Sequence, residues 1–193
     1  MKIARFAAVF ALLSSLALGQ AATPPKPTTP APQSTPETAA PAANPDDVKS
    51  MDAIMHAIYD VISGPAGKQR DWDRFRSLFA DGARLIPLVK KPDGSITTRV
   101  FTPEEYASRG QTFFNQEGFY EKEVARRVEQ WGHIAQVFST YESRHEVGGQ
   151  PFARGINSFQ LYNDGKRWYV ITIFWEAESK DVPITPEFLK SGK

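Results

Sequence analysis

From residue 119 to residue 175 the chain reads as one β-strand after another, and no other stretch limits its fold so tightly. Tyr162-Asn163-Asp164-Gly165-Lys166 separates two apolar, aromatic-rich runs. Asn, Asp and Gly tolerate the positive φ that a tight hairpin turn demands, so these runs are expected to pair. Gly132-His133 and Gly148-Gly149-Gln150-Pro151 supply two earlier turns. The result is a predicted meander of four strands, 119–131, 134–144, 152–162 and 168–175. On the second strand Ala135, Val137, Ser139, Tyr141 and Ser143 share one face, and Ile134, Phe138 and Glu142 share the other. On the first, Tyr120, Val124 and Val128 are expected on the core side. Glu121, Glu123, Arg127 and Glu129 then face water, with Arg126 and Arg127 in cross-strand ion pairs. The last two strands are apolar on both faces. A partner must cover the second face: either residues 181–193, otherwise a loose tail, or, as favoured here, a second copy in a homodimer through the outer sheet face.

The upstream residues predict helices that cover the sheet's inner face. Met51, Ile54, Met55, Ile58, Val61 and Ile62 recur at spacings of three and four, one face of a helix opened by Asp46 and Asp47 and stopped by Ser63-Gly64-Pro65. Asp52, His56 and Asp60 fall on its opposite face and read as solvated rather than as a metal site. A second helix is expected over 71–80, with Asp71 as N-cap and Trp72, Phe75, Leu78 and Phe79 as its apolar side. Asp81-Gly82 then turns into a strand over 83–89, and Pro92-Asp93-Gly94 leads to a partner strand over 96–101. Thr102-Pro103-Glu104-Glu105 has the form of a capping box with Pro at the first helical position, so a third helix follows.

The N-terminus reads as a secretory signal over residues 1–21. Lys2 and Arg5 precede an uncharged apolar run, then Gly19-Gln20-Ala21 offers small residues for cleavage. Eight prolines spaced by Thr, Ala and Ser make residues 22–45 an expected disordered linker. The folded domain is expected over 46–179 and the tail over 180–193. Removing Lys2 and Arg5 takes 23 basic residues to 21 against 22 acidic ones, a near-neutral balance that suits neither nucleic acid nor, after cleavage, a membrane. The absence of Cys excludes disulfides, thiolate metal sites and a cysteine nucleophile.

The order helix, helix, hairpin, helix and four long strands resembles the nuclear transport factor 2-like superfamily. The residues that carry the likeness are 70–75 (Arg-Asp-Trp-Asp-Arg-Phe), Leu78-Phe79, Ala83-Arg84-Leu85, 132–137 (Gly-His-Ile-Ala-Gln-Val), Ser139, Tyr141, Glu142, 165–170 (Gly-Lys-Arg-Trp-Tyr-Val) and Trp175. The resemblance implies an α+β fold in which a curved antiparallel sheet wraps three helices into a cone-shaped barrel with a hollow. It does not imply an activity, because enzymes, ligand binders and assembly modules share this fold. Ketosteroid isomerases need an Asp base after the second helix, where this chain has Leu85-Ile86-Pro87-Leu88, although Tyr59 could match their helix-borne tyrosine. The histidines His56, His133 and His145 do not form the pair of a scytalone dehydratase. Interior carboxylates to join Arg154 in a limonene epoxide hydrolase set are not evident. With neither cofactor nor metal expected, the reading is an exported binding or interaction domain for a small apolar or aromatic molecule. The alternative is a lyase or isomerase with Tyr141 as acid or oxyanion donor. Tyr59, Ser139, Tyr141, Ser143, Arg154 and Asn157 are the candidate polar lining, Trp72 and Phe114 the walls, and His133 the default base by its pKa.

Overall fold

The computed structural model describes residues 41–191; the signal and most of the linker expected from the sequence lie outside them. Six strands form one sheet in the order β2-β1-β6-β5-β4-β3. The strands are β1 (Phe79–Lys90), β2 (Ile96–Thr98), β3 (Tyr120–Trp131), β4 (Ile134–Arg144), β5 (Ala153–Asn163) and β6 (Trp168–Ala177). The meander is as expected, with Val137 opposite Phe159 and Phe159 opposite Ile173. Two features differ from the expected sheet. β1 pairs with β6 in parallel, so the sheet is mixed, and β2 and β3 remain as edges, so the cone stays open.

Four helices, α1 (Pro45–Val48), α2 (Met51–Ile62), α3 (Trp72–Ser77) and α4 (Pro103–Phe114), occur among the described residues. The first expected helix is broken in two because Ser50 leaves helical geometry to cap α2, accepting from the Ala53 N–H at 3.1 Å. All but Met51 of its predicted apolar face is buried, and Met51 is partly so. α3 ends earlier than expected: the Leu78 carbonyl accepts from Val170 N–H at 3.0 Å, so sheet pairing captures the chain before the helix can continue. Asp81-Gly82 is not a turn between elements. It is an irregularity inside β1, where Gly82 takes φ 74° and the register shifts between Phe79 and Arg84. The predicted capping box of α4 is present, with Thr102 Oγ1 accepting from Glu105 N–H and the Glu105 carboxylate from Thr102 N–H.

Phe75, Phe159, Ile54, Leu78, Val137 and Val170 form the centre of the core between helices and sheet. Arg70 closes one end of it. Its guanidinium donates to the carbonyls of Ile62, Gly64 and Lys68 at 2.7–2.9 Å and lies over the Phe114 ring, tying the unsatisfied end of α2 to the following loop. The segment read as a loose tail packs on the convex side of β3 and β4. Thr140 donates to the Phe188 carbonyl, Phe188 meets Phe138 edge-on, and Ser191 accepts from Arg126 N–H. Thr140 and Ala125 are buried there although they belong to the outer face.

Candidate functional site

One irregularity in β3 builds the site. Glu123 pairs with Tyr141, but the next paired residue is Ala125, opposite Thr140, so Val124 is an extra residue in the strand. A bulge of this kind reverses which side chains face inward. Val128 therefore points to the core as expected, while Glu121 and Glu123 point inward as well, contrary to the strict alternation that assigned them to solvent. Val124 is left exposed. The cross-strand ion pairs expected of Arg126 and Arg127 on a solvated face are not formed among the described residues: the bulge turns Arg126 inward, 2.6 Å from Glu123 of its own strand and 2.6 Å from Asp52 of α2, and Arg127 lies over the Phe188 ring.

Glu121 lies in the wall of a cavity of about 220 Å³ between α2, α4 and the concave sheet. Ser143, directly opposite it on β4, donates to its carboxylate at 2.7 Å. Tyr59 from α2, Tyr106 from α4, Tyr141 from β4 and Asn157 from β5 line the same cavity, with Phe159, Ile173 and Trp175 behind them. Tyr59 sits in a hydrogen-bonded chain: its hydroxyl is 2.7 Å from Ser139 Oγ and accepts from Asn157 Nδ2 at 3.1 Å, and Ser139 in turn donates to Glu123. The Tyr106 and Tyr141 hydroxyls have no side-chain partner among the described residues. Gly155 makes room for Tyr141, because a Cβ there would stand 2.5 Å from the phenol oxygen.

Burial raises the Glu121 carboxyl to a pKa of about 7, against the opposing hydrogen bonds of Ser143 and Asn157. Burial also holds the hydroxyls of Tyr59, Tyr106 and Tyr141 well above the usual phenol range, and the charge of Glu121 adds to each. Among the described residues no Arg, Lys or His lines the cavity. The group can therefore gain or lose a proton near neutral pH, beside phenols that remain protonated donors. On its other side Glu121 borders a wider, polar groove of about 830 Å³ between α2 and the β4–β5 loop, which Tyr59, Lys122 and Arg144 also line.

Of the residues expected at the site, Tyr59, Tyr141, Ser143 and Asn157 meet in the cavity. Ser139 is fully buried behind it, bridging Tyr59 and Glu123. Trp72 and Phe114 stack on each other outside it, with the indole N–H donated to Gln111 at 2.7 Å. Arg154 faces away from it, 3.9 Å from Glu142 and 3.6 Å from Glu178. His133 is exposed in its turn. Asp60 on the polar face of α2 pairs with Arg74, and among the described residues no three potential ligands stand together for a metal. No described helix is long and apolar enough to cross a membrane. Glu121 and Tyr106 were not anticipated. The signal that could have found Glu121 is the pair of small Ser residues on β4, which leave room opposite a large polar side chain.

No protein-family model and no curated protein matches the sequence. Among solved structures, the chain is similar to a protein of unknown function from Mycobacterium tuberculosis, with 11% identity over 70% of this chain and 79% of that one and a TM-score of 0.50. It is also similar to a protein with a cystatin-like fold from Nostoc punctiforme, with 12% identity over 65% and 86% of the two chains and a TM-score of 0.49. A third is an NTF-2 like protein of unknown function from Silicibacter pomeroyi, with 11% identity over 67% and 94% and a TM-score of 0.45. At such identities the likeness concerns the fold alone, an open α+β arrangement of one mixed sheet and the helices packed on it.

Proposed function

We propose that the protein binds a small, largely apolar or aromatic molecule in the cone cavity, with Glu121 and the surrounding hydroxyls as its polar contacts. One observation carries this reading: a carboxylate without a cation stands in the wall of a mostly aromatic and aliphatic hollow whose other polar groups are Ser143, Asn157 and three phenols. A hollow kept only for packing would be filled by an apolar side chain there, since burying a lone carboxylate costs several kcal/mol, on the order of the penalty for an unpaired ion. The secretory signal read from the sequence supports placing this binding outside the cytoplasm.

A second reading, proton transfer of the isomerase or lyase kind, is favoured by the pKa of Glu121 near 7. Glu121 would take a proton from carbon and return it elsewhere on the same molecule, while the Tyr106 or Tyr141 hydroxyl donates to the developing oxyanion. Titration with p-cresol, followed by NMR, is expected to shift the indole N–H of Trp175 saturably, at one site per chain. Absence of a saturable shift overturns the binding reading. Conversion of 3-cyclohexenone to 2-cyclohexenone, lost at least a hundredfold in Glu121→Gln, would support catalysis; binding without conversion leaves the first reading alone.

A further inference from the structure

The charge and ring content of the cavity narrow what it holds. Eight of its sixteen lining residues are aromatic, among them Phe75, Phe119, Phe152, Phe159 and Trp175. The faces of such rings carry the negative end of a quadrupole and attract cations. Glu121 is the lining residue that can carry a full negative charge at neutral pH, and its ion pair is missing: no salt bridge reaches it among the described residues. The nearest carboxylate on its own strand, Glu123, is already held by Arg126. Within the cavity, Tyr59 of α2, Tyr106 of α4, Tyr141 and Ser143 of β4 and Asn157 of β5 face Glu121 without a positive charge. In the groove on its other side stand His56 and Asp60 of α2, Lys122 and Arg126 of β3, Arg144 of β4 and Glu146. Arg126 is paired with Glu123 and Asp52 and Arg144 with Glu142, and no salt bridge joins any of these cations to Glu121 among the described residues. We propose, building on the binding reading above, that the cavity is a receptor for a small organic cation, a quaternary ammonium or protonated amine held between the aromatic rings and the Glu121 carboxylate.

The cation supplies what the wall lacks. It offsets the cost of ionising Glu121, so the carboxyl gives up its proton when the ligand enters. Because free Glu121 titrates at about 7, binding strengthens as pH rises through neutrality and releases a proton below it. The volume of about 220 Å³ corresponds to roughly seven waters, which suits a ligand of choline size rather than a polycyclic one.

The test compares choline with its uncharged isostere 3,3-dimethylbutan-1-ol by calorimetry on the purified full chain at pH 5.5, 7 and 8. At pH 8 choline is expected to bind at least tenfold more tightly than the alcohol, with the ratio falling towards one at pH 5.5. At pH 7 its heat should vary with the ionisation enthalpy of the buffer. Glu121→Gln should erase the preference for choline over the alcohol. Trp175→Leu, which keeps the carboxylate, should weaken choline more than the alcohol and provides an independent arm should Glu121→Gln not fold. Equal or tighter binding of the alcohol at pH 8, or a preference that survives Glu121→Gln, overturns the inference while the cavity reading stands. Binding of neither probe at any pH overturns the inference, and the p-cresol titration then decides the cavity reading separately.

Discussion

Glu121 retains its proton to unusually high pH because its surroundings offer two hydrogen bonds and no countercharge. In the unfolded chain a glutamate titrates near 4.3. Between that value and about 7 the folded protein therefore carries a proton that the unfolded chain has already lost. Stability contributed by this group is full below pH 4 and falls as pH rises through the window, by about 4 kcal/mol in total at 1.36 kcal/mol per unit. Urea unfolding at pH 5 and pH 8 should show this loss, and Glu121→Gln should remove it and be the more stable protein at pH 8. An unchanged slope in that variant would place the titrating group elsewhere. The opposite case is Asp47, whose carboxyl is held below the usual range by its hydrogen bonds to Arg74, at 2.8 and 2.9 Å. Its contribution is present at neutral pH and disappears only in acid. At this scale the sequence pointed to Tyr59, Tyr141, Ser143 and Asn157, which line the cavity, through the small Ser residues that leave space beside Tyr141 on one strand face. Trp72, Phe114 and Arg154 looked equally suitable by chemistry, but only packing decides that the first two consume each other's surface and that Arg154 lies beside Glu142 and Glu178.

Among the elements, β3 shows why strand periodicity alone misplaces a site. Period-two reasoning assumes unbroken parity, and a single extra residue transfers every earlier side chain to the other face. Nothing in Glu123-Val124-Ala125 announces the extra residue, since the bulge uses no glycine. Deleting Val124 should restore strict alternation and turn Glu121 and Glu123 outward. The expected variant keeps its β-sheet circular dichroism, loses saturable p-cresol binding, and no longer shows a stability loss between pH 5 and 8. Retention of that pH slope would mean that the bulge does not set the orientation of Glu121. Helices were easier to anticipate than strands here: Asp71 and Thr102 cap as expected, although the cap at Ser50 that divides the first helix was not foreseen. The early end of α3 was hidden because Leu78 and Phe79 continue its apolar spacing while the sheet competes for their backbone.

For the molecule as a whole, the apolar outer face is only partly covered. Phe188 and its neighbours pack on β3 and β4, yet Phe138 there stays 39% exposed, as do Phe174 at 40% and Ile171 at 38% on β6. The homodimer proposed from the sequence is expected to use the outer face around Phe174. Sedimentation should show a dimer that Phe174→Glu converts to a monomer without loss of fold; a monomeric parent chain at high micromolar concentration sinks the proposal. The parallel pairing of β1 and β6 was not legible, because a strand's neighbours depend on contacts nearly a hundred residues away and not on its own pattern. That pairing has a temporal consequence. The strand synthesised last, β6, lies between β1 and β5 in the middle of the sheet, so a nascent chain carries two unsealed halves until residues 168–177 leave the ribosome. Assembly is then a single late event, governed by slow long-range closure, and a chain stalled before Trp168 offers proteases and chaperones an unfinished substrate.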